Sequence, residues 1–416
     1  MMKTETGDHK DKTAAWEKRF GKDVLPLSKF ENDYFIGTSP IEVFFLYKKN
    51  NAIMKMKESL LKTIEHYNLY SSRLIMMDEN KFALQYCTDG TVANPLPPVD
   101  ATFDSMNIDD LTKRMYHVQT LPGEPLFAVT GIPLKDGIFA GISMSHAVGD
   151  GISILLFLYA WMCISDGKDF LRPSGQRLFK GTPIKSDQID KSLIPPLSEL
   201  RKGIQNQVNN VNPIKTYTKN EYFSDVFLNN IKQRAKADHV KYEISNHQIM
   251  TAHLLKKYSD HILPNTDKII LRSPINLRDV HPDIDPMYIG SANFNSFTEF
   301  TKDEIHQLSI LEIACRMKES MMVMRSESYA RKTAYLSDYG VEIDTEVLKN
   351  EHPPYSIETN IVSSNMTHLN DLESMFVGPE TGSVLGIGLV IQTGFTMLKE
   401  KSGRIVAQIT SRYPFT

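Results

Sequence analysis

The segment from Ser145 to Gly151, Ser-His-Ala-Val-Gly-Asp-Gly, contains residue types that can perform acid–base chemistry. His146 follows an alternating pattern typical of a buried strand, and Asp150 stands between two glycines before an apolar helical stretch. Because glycine disfavours a helix that runs through both residues, we expect the pair in a tight turn between strand and helix. An imidazole with a pKa of about 6.5 is partly neutral at pH 7, so His146 can accept a proton.

A structural interpretation of the same residues stays open. Asp150 is a suitable N-cap for a helix that begins at Gly151, and His146 is then a core histidine whose ring is satisfied locally. A single histidine and aspartate four residues apart are too weak a signal to decide between catalysis and structure.

Further segments resemble one known family, in the order that the family has them. His146–Gly151 resembles the HxxxDG motif of the coenzyme-A-dependent acyltransferase superfamily, which includes chloramphenicol acetyltransferase, the BAHD acyltransferases and the condensation domains of peptide synthetases. The other matches, over about residues 25–410, are Leu27–Glu31 with LSxxD, Leu60–Leu74 with the helix before GRL, Ile244–His253 with the first helix of the second half, and Pro274–Ala292 with DxRxRL…YFGNa.

The resemblance implies an α/β fold with two chloramphenicol-acetyltransferase-like lobes and the active site in a tunnel between them. It implies transfer of an acyl group from acyl-CoA, as co-substrate, to a hydroxyl or amine of a small-molecule acceptor. We expect no bound cofactor and no metal. His146 is then the catalytic general base, which takes the proton of the acceptor during direct attack in a ternary complex.

The same resemblance assigns three residues to the support of the site. Asp150 points away from the substrate and pairs with Arg278 of the second half, and Gly151 belongs to the same motif. The alternative for Arg278 is a solvated cation in a loop.

Ser363, Ser364 and Asn365 resemble the family segment that lies near the reacting carbonyl. A donor to the oxyanion formed there contributes about 3–4 kcal/mol. We expect Ser363 to be the first donor and Asn365 the second. A simple turn is an equally good interpretation, because serine and asparagine are common turn formers.

Two alternatives to this function stay open. One is a stand-alone condensation-type enzyme whose donor is the thioester of an acyl carrier protein, although the second histidine typical of those domains is Ser145 here. The other is a degenerate, non-catalytic fold that binds a ligand. The DFGWG motif, expected near residues 370–385, is reduced to Met375–Pro379, which favours this alternative, whereas the intact His146 and Asp150 oppose it.

The elements that must position these residues fall into three parts. Residues 20–170 form the first lobe, residues 171–213 a proline-rich linker or crossover, and residues 214–416 the second lobe, whose segment near 360–380 is expected to cross to the first. The predicted strands are Glu42–Tyr47, Arg73–Met77, Lys81–Cys87, Leu126–Pro133, Gly137–Ser145, Thr216–Phe227, Lys268–Pro274, Leu385–Phe395 and Arg404–Tyr413. The predicted helices are Met54–Tyr67, Ile108–Tyr116, Gly151–Ile164, Asn246–Asp260 and Asp303–Ser326.

Composition excludes several classes of protein. The chain has 416 residues, with 47 Lys and Arg against 50 Asp and Glu, so no basic excess points to nucleic acid. The longest apolar stretch, Ile152–Ile164, is shorter than the roughly 18 residues of a membrane span. Three cysteines form no disulfide framework, and the polar N-terminus resembles no signal peptide. We therefore expect a cytoplasmic protein. We also expect a monomer.

Overall fold

The computed structural model describes residues 17–18, 21–27, 31, 40–47, 52–78, 81–174, 177–196, 216–279, 284–325, 358–367, 383–386, 393–399 and 403–415. These residues form two lobes of mixed α/β structure, which confirms the predicted fold class. Among them, no helix has both the length and the apolar character that a bilayer crossing requires.

The described part of the first lobe contains two sheets and the helices α1 to α3. A small antiparallel sheet has the order β1-β4-β3, with β1 (Val24–Pro26), β3 (Ser72–Asp78) and β4 (Lys81–Tyr86). A larger sheet has the order β12-β2-β7-β6-β5, with β2 (Ile41–Tyr47), β5 (Thr91–Pro95), β6 (Phe127–Leu134), β7 (Gly137–Met144) and β12 (Ser383–Gly386). The helices are α1 (Ala52–His66), α2 (Ile108–Lys113) and α3 (Gly151–Ser165).

Strand β7 leads directly into the turn that holds His146, and it is buried at every residue. It pairs antiparallel with β2 on one side and with β6 on the other. Ala140, Ile142 and Met144 share one core cluster with Phe157 of α3. Since a slip of one residue would move these side chains to the opposite face, where Phe139 packs in a different core cluster, packing on both faces fixes the register of β7 and so the position of His146.

Part of the predicted linker packs on the small sheet of the first lobe. Arg177 forms a buried ion pair with Glu31, with 3.0 Å between Nη2 and Oε1. Apolar side chains of the same segment cover β1, β3 and β4, namely Ile184, Ile189, Leu193 and Ile194. Residues 177–196 therefore belong to the first lobe, while residues 197–215 lie outside the described part of the chain.

The second lobe has one large sheet, in the order β10-β9-β11-β13-β14-β8. Its strands are β8 (Tyr217–Phe223), β9 (Lys268–Asn276), β10 (Asn293–Thr301), β11 (Asn360–Asn365), β13 (Gly394–Lys399) and β14 (Ile405–Ser411). Its helices are α4 (Asp225–Ala237), α5 (Asn246–Ile262), α6 (Lys302–Gln307) and α7 (Ile310–Met324). Side chains of α5 and α7 form one apolar core with the inner face of the sheet.

Side-chain caps shorten two of the predicted elements. The predicted strand Thr216–Phe227 ends at Phe223, because the hydroxyl of Ser224 caps α4. The predicted helix Asp303–Ser326 is two helices, because Ser309 and Glu312 form a capping box that starts α7 after the end of α6.

The predicted strand Leu385–Phe395 is also divided. Its first residues belong to β12, which pairs antiparallel with β2 of the first lobe, and its last two belong to β13 of the second lobe. Strand β11, by contrast, lies in the sheet of the second lobe, between β9 and β13. The degenerate DFGWG-like stretch Met375–Pro379 lies outside the described residues.

Candidate active site

Asp150 is the N-cap of α3 and also one half of an ion pair between the two halves of the chain. Its Oδ1 accepts the backbone N–H of Ser153 at 2.9 Å, and its Oδ2 accepts the backbone N–H of Ala292 at 2.9 Å. Arg278 donates from Nη1 to Oδ2 at 2.8 Å and from Nη2 to Oδ1 at 3.1 Å. The structure thus brings Asp150 and Arg278 together, and the same carboxylate caps α3.

This carboxylate is charged and saturated with donors. The side chains of Asp150 and Arg278 are each 2% exposed. Burial by itself raises the pKa of Asp150, but the Arg278 charge and the hydrogen bonds from Arg278, Ser153 and Ala292 hold that pKa below its ordinary value. Asp150 therefore holds structure together and has no lone pair suited to act as a base.

The segment Tyr288–Ala292 of the second half closes over the turn that carries His146. Arg278 donates to the carbonyls of Tyr288 and Gly290 at 3.0 and 3.1 Å. Gly290 has a φ of 127°, a conformation that favours glycine. The hydroxyl of Ser291 donates to the backbone carbonyl of His146 at 2.6 Å. The backbone of the histidine is therefore tied to both halves of the chain.

His146 lies in the predicted turn between β7 and α3. The Oγ of Ser145 accepts the N–H of Ala147 at 3.1 Å and lies 2.6 Å from Thr120 Oγ1, which fixes the start of the turn. The residue His146 as a whole is partly exposed, but the Nδ1 of its ring is buried. Burial lowers the pKa of its ring to about 4, against the opposing influence of the Asp150 charge and a hydrogen bond with the Gly149 backbone. The imidazole is therefore neutral at pH 7, the form that accepts a proton.

The end of β11 reaches the first lobe beside Gly151. A Cβ on Gly151 would lie 3.3 Å from Cε of Met366, the residue that follows β11. Ser364 is partly buried and Asn365 is exposed. The Oδ1 of Asn365 accepts from N and Oγ1 of Thr367 at 3.2 and 2.8 Å. Its amide nitrogen is thus the group that Asn365 can offer as a donor to a ligand.

Ser363 does not lie where we expected the first oxyanion donor. It is fully buried, with its Oγ 2.9 Å from His247 Nε2 and 2.7 Å from Thr251 Oγ1, both on α5. Successive residues of a strand face opposite sides of the sheet. Ser363 shares the inner face with Ile361, so its hydroxyl points into the second lobe.

Two residues of this arrangement were not predicted. His247 could have been found because His247 and Thr251 are four residues apart, which places two polar side chains on the buried face of the helix. Ser291 carried no signal of its own, since nothing in its type suggests a bond to a carbonyl far away in sequence. Among the described residues, no cluster of histidine, cysteine, aspartate and glutamate side chains is arranged to hold a metal ion.

Comparison with known proteins gives this arrangement a family. A model described as the Transferase family matches residues 14–369. BAHD acyltransferase DCR from Arabidopsis thaliana is 25% identical over 265 residues, which are 56% of this chain and 54% of that protein. The chain belongs to the BAHD acyltransferase family. The match spans about half the length of that BAHD relative.

Another relative covers more of this chain, and a solved structure shares the fold of this chain. Spermidine coumaroyl-CoA acyltransferase from Arabidopsis thaliana is 23% identical over 338 residues, 76% of this chain and 70% of that protein. TRI101 of F. sporotrichioides, in a crystal structure with coenzyme A and T-2, has a TM-score of 0.65 at 13% identity. The structural match covers 94% of this chain and 95% of the TRI101 chain, which shows that the two proteins share the two-lobed fold.

Proposed function

We propose that this BAHD protein transfers an acyl group from acyl-CoA to a hydroxyl or amine of a small molecule, with His146 as general base. One observation carries the proposal: a neutral histidine stands where the two lobes meet, in a turn that both lobes hold. Support for the substrates comes from relatives, since TRI101 binds coenzyme A and another relative is named for a coumaroyl-CoA donor and the amine spermidine.

The proposed reaction is a direct transfer. As the acceptor oxygen or nitrogen attacks the thioester carbonyl, His146 removes its proton, and the carbonyl electrons form an oxyanion. The tetrahedral intermediate then expels the CoA thiolate, and the protonated His146 returns the proton to sulfur. A positioned base of this kind accelerates the reaction by about 10²–10⁴-fold. A neutral ring is required at the start, and burial of His146 provides it.

Within this proposal, the end of β11 faces the thioester carbonyl. Ser364 and Asn365 are the residues of the predicted trio whose side chains retain exposure, whereas the Ser363 hydroxyl is engaged inside the second lobe. We assign the oxyanion contact to the amide nitrogen of Asn365, whose oxygen is already held by Thr367. Asp150 and Arg278 keep the turn in place, and Gly151 begins the helix that follows it.

The test is release of free thiol from a panel of acyl-CoAs, with and without a pooled extract of alcohols and amines. We expect acceptor-dependent release that falls by about 10²–10⁴-fold in His146→Ala. The matched control is His306→Ala, an exposed histidine of α6, which should leave the rate unchanged.

An unchanged rate in His146→Ala would contradict the assignment of the base. Release from an acyl carrier protein thioester, with none from any acyl-CoA, would instead support the condensation-type alternative. A folded protein that binds acyl-CoA but transfers to no acceptor would support the non-catalytic alternative.

A further inference from the structure

A buried polar cluster of the second lobe has no part in the reaction as proposed so far. It consists of His247, Thr251 and Ser363. The ring of His247 and the hydroxyl of Thr251 both contact Ser363 Oγ, at 2.9 and 2.7 Å. Ser363 and Thr251 are fully buried, and His247 is 8% exposed. A buried polar side chain without a hydrogen-bond partner is costly, so these three side chains must stay within bonding distance. The cluster therefore fixes the distance between α5 and β11.

The end of β11 needs this support because the sheet holds it on one side. Strand β11 pairs with β9 through Asn360, Ile361 and Val362. Among the described strands, its last three residues pair with β13 alone. Beyond Arg272, the partner of Val362, β9 no longer pairs with β11 and keeps only its pairing with β10 on its other side. The contact between His247 and Ser363 therefore acts at the point where β9 and β11 separate.

Movement of this strand end would reach the proposed site directly. Ser363 is followed by Ser364 and Asn365, and then by Met366, whose methyl group lies against Gly151 at the start of α3. The N–H of Met366 still bonds to the carbonyl of Met397 in β13 at 2.9 Å. The strand end is thus anchored at β13, at α5 and at the first lobe, and among these three described anchors the one at α5 is made by side-chain hydrogen bonds.

We infer that His247 is a positioning residue of the acyl-transfer site, which holds Ser363 so that the amide of Asn365 stands at the oxyanion. This inference rests on the proposed function. His247 touches neither substrate; its hydrogen bond sets the position of the strand whose next residues do. A misplacement of about 1 Å in such a site costs about 100-fold in rate.

The experiment compares three variants of α5 in the full-length protein. His247→Phe keeps a planar ring but removes the bond to Ser363, and His247→Gln retains a side chain that can bond to it. The matched control is His253→Phe, on the same helix, whose Nε2 bonds instead to Glu221 of β8 at 2.8 Å. Initial rates of thiol release give kcat and the KM for acyl-CoA, and thermal unfolding gives the stability of each protein.

We expect His247→Phe to lower kcat by about 10- to 100-fold with little change in the KM for acyl-CoA. His247→Gln should recover most of the loss. His253→Phe should lower stability about as much as His247→Phe does and leave kcat near that of the wild type. Equal kcat values for His247→Phe and His253→Phe would overturn the inference, as would a glutamine variant no better than the phenylalanine variant.

A second variant keeps the test decisive if His247→Phe does not fold. Ser363→Ala removes the other end of the same hydrogen bond, and we expect it to lower kcat to a similar extent. If Ser363→Ala has the wild-type kcat, the inference fails. Failure of the proposed function is distinct, because the wild type itself would then release no thiol, or His146→Ala would be as active as the wild type.

Discussion

Replacement of Arg278 by methionine removes the positive half of the buried ion pair at the lobe junction. The Asp150 carboxylate would remain 2% exposed, with donors from Ser153 and Ala292 but no compensating charge. Two charge-assisted hydrogen bonds of 2.8 and 3.1 Å would be lost. The carbonyls of Tyr288 and Gly290 would lose their bonds from the guanidinium.

The magnitude follows from the burial of the pair. Removal of one partner from a buried, hydrogen-bonded pair costs about 3–5 kcal/mol, because the other charge stays in a medium that solvates it poorly. Whole proteins have free energies of unfolding of about 5–15 kcal/mol. Arg278→Met should therefore lower stability by a large fraction. The exposed pair of Arg234 with Asp238 on α4 is the control, since Arg234→Met should cost less than about 1 kcal/mol.

Urea unfolding followed by circular dichroism measures both variants. We expect a large fall in the midpoint for Arg278→Met and almost none for Arg234→Met. The double variant Asp150→Asn with Arg278→Met should cost less than the sum of the single variants, because no uncompensated charge is left. Equal midpoints for Arg278→Met and Arg234→Met would refute the reasoning, since the buried pair of Asp150 and Arg278 would then contribute no more to stability than an ion pair exposed to water.

Three further outcomes are expected. Gly394→Ala should destabilise the protein by roughly 1–3 kcal/mol, because the new Cβ would lie 2.0 Å from the Val362 carbonyl oxygen; Gly151→Ala should be tolerated, because it meets only the movable end of a methionine, and thermal unfolding compares the two. The rate constant kcat/KM should stay level from pH 7 to pH 5 and fall as the pH approaches the His146 pKa of about 4, below which the base is protonated. Initial rates measured after a brief pH jump test this, and a fall in kcat/KM with a midpoint at about pH 6.5 would contradict it. The free energy of unfolding should fall between about pH 6.5 and 4, by about 3 kcal/mol each for His146 and His247, because the unfolded chain then binds protons that the folded protein excludes. Urea titrations at several pH values measure this fall. If His247→Phe lost as much stability over this pH range as the wild type, the prediction for His247 would be wrong.

The turn that holds His146 could be predicted from the sequence because neighbouring residues determine it. An alternating strand, a turn with glycines and an N-cap aspartate before an apolar helix are all legible between Gly137 and Ser165, and the structure has them in that order. The pairing of Asp150 with Arg278 joins residues 128 positions apart. No spacing rule predicts such a contact, and only the family resemblance indicated it.

The direction of the Ser363 side chain could not be predicted from its neighbours in sequence. It depends on which face of β11 meets α5, and this depends on pairing with strands distant in the chain. For the same reason the partner of His247 could not be predicted, because Ser363 is 116 residues away. In the α6–α7 region the signal was present: Ser309 and Glu312 have the spacing of a capping box, and the periodic apolar pattern obscured it.

The pairing of β12 with β2 has a consequence for the chain during its synthesis. Among the described strands, those of the first lobe that precede β12 are complete once Met144 has been made, and the outer edge of β2 gains its described neighbour only with Ser383, 239 residues later. At about 5–20 residues per second this takes roughly 12–48 s. An open edge of this kind can pair with another nascent chain. Chains released before Ser383 would therefore have a first lobe in which the outer edge of β2 is open to pairing with another chain. A chaperone that covers β2 during this interval would increase the yield of full-length folded protein.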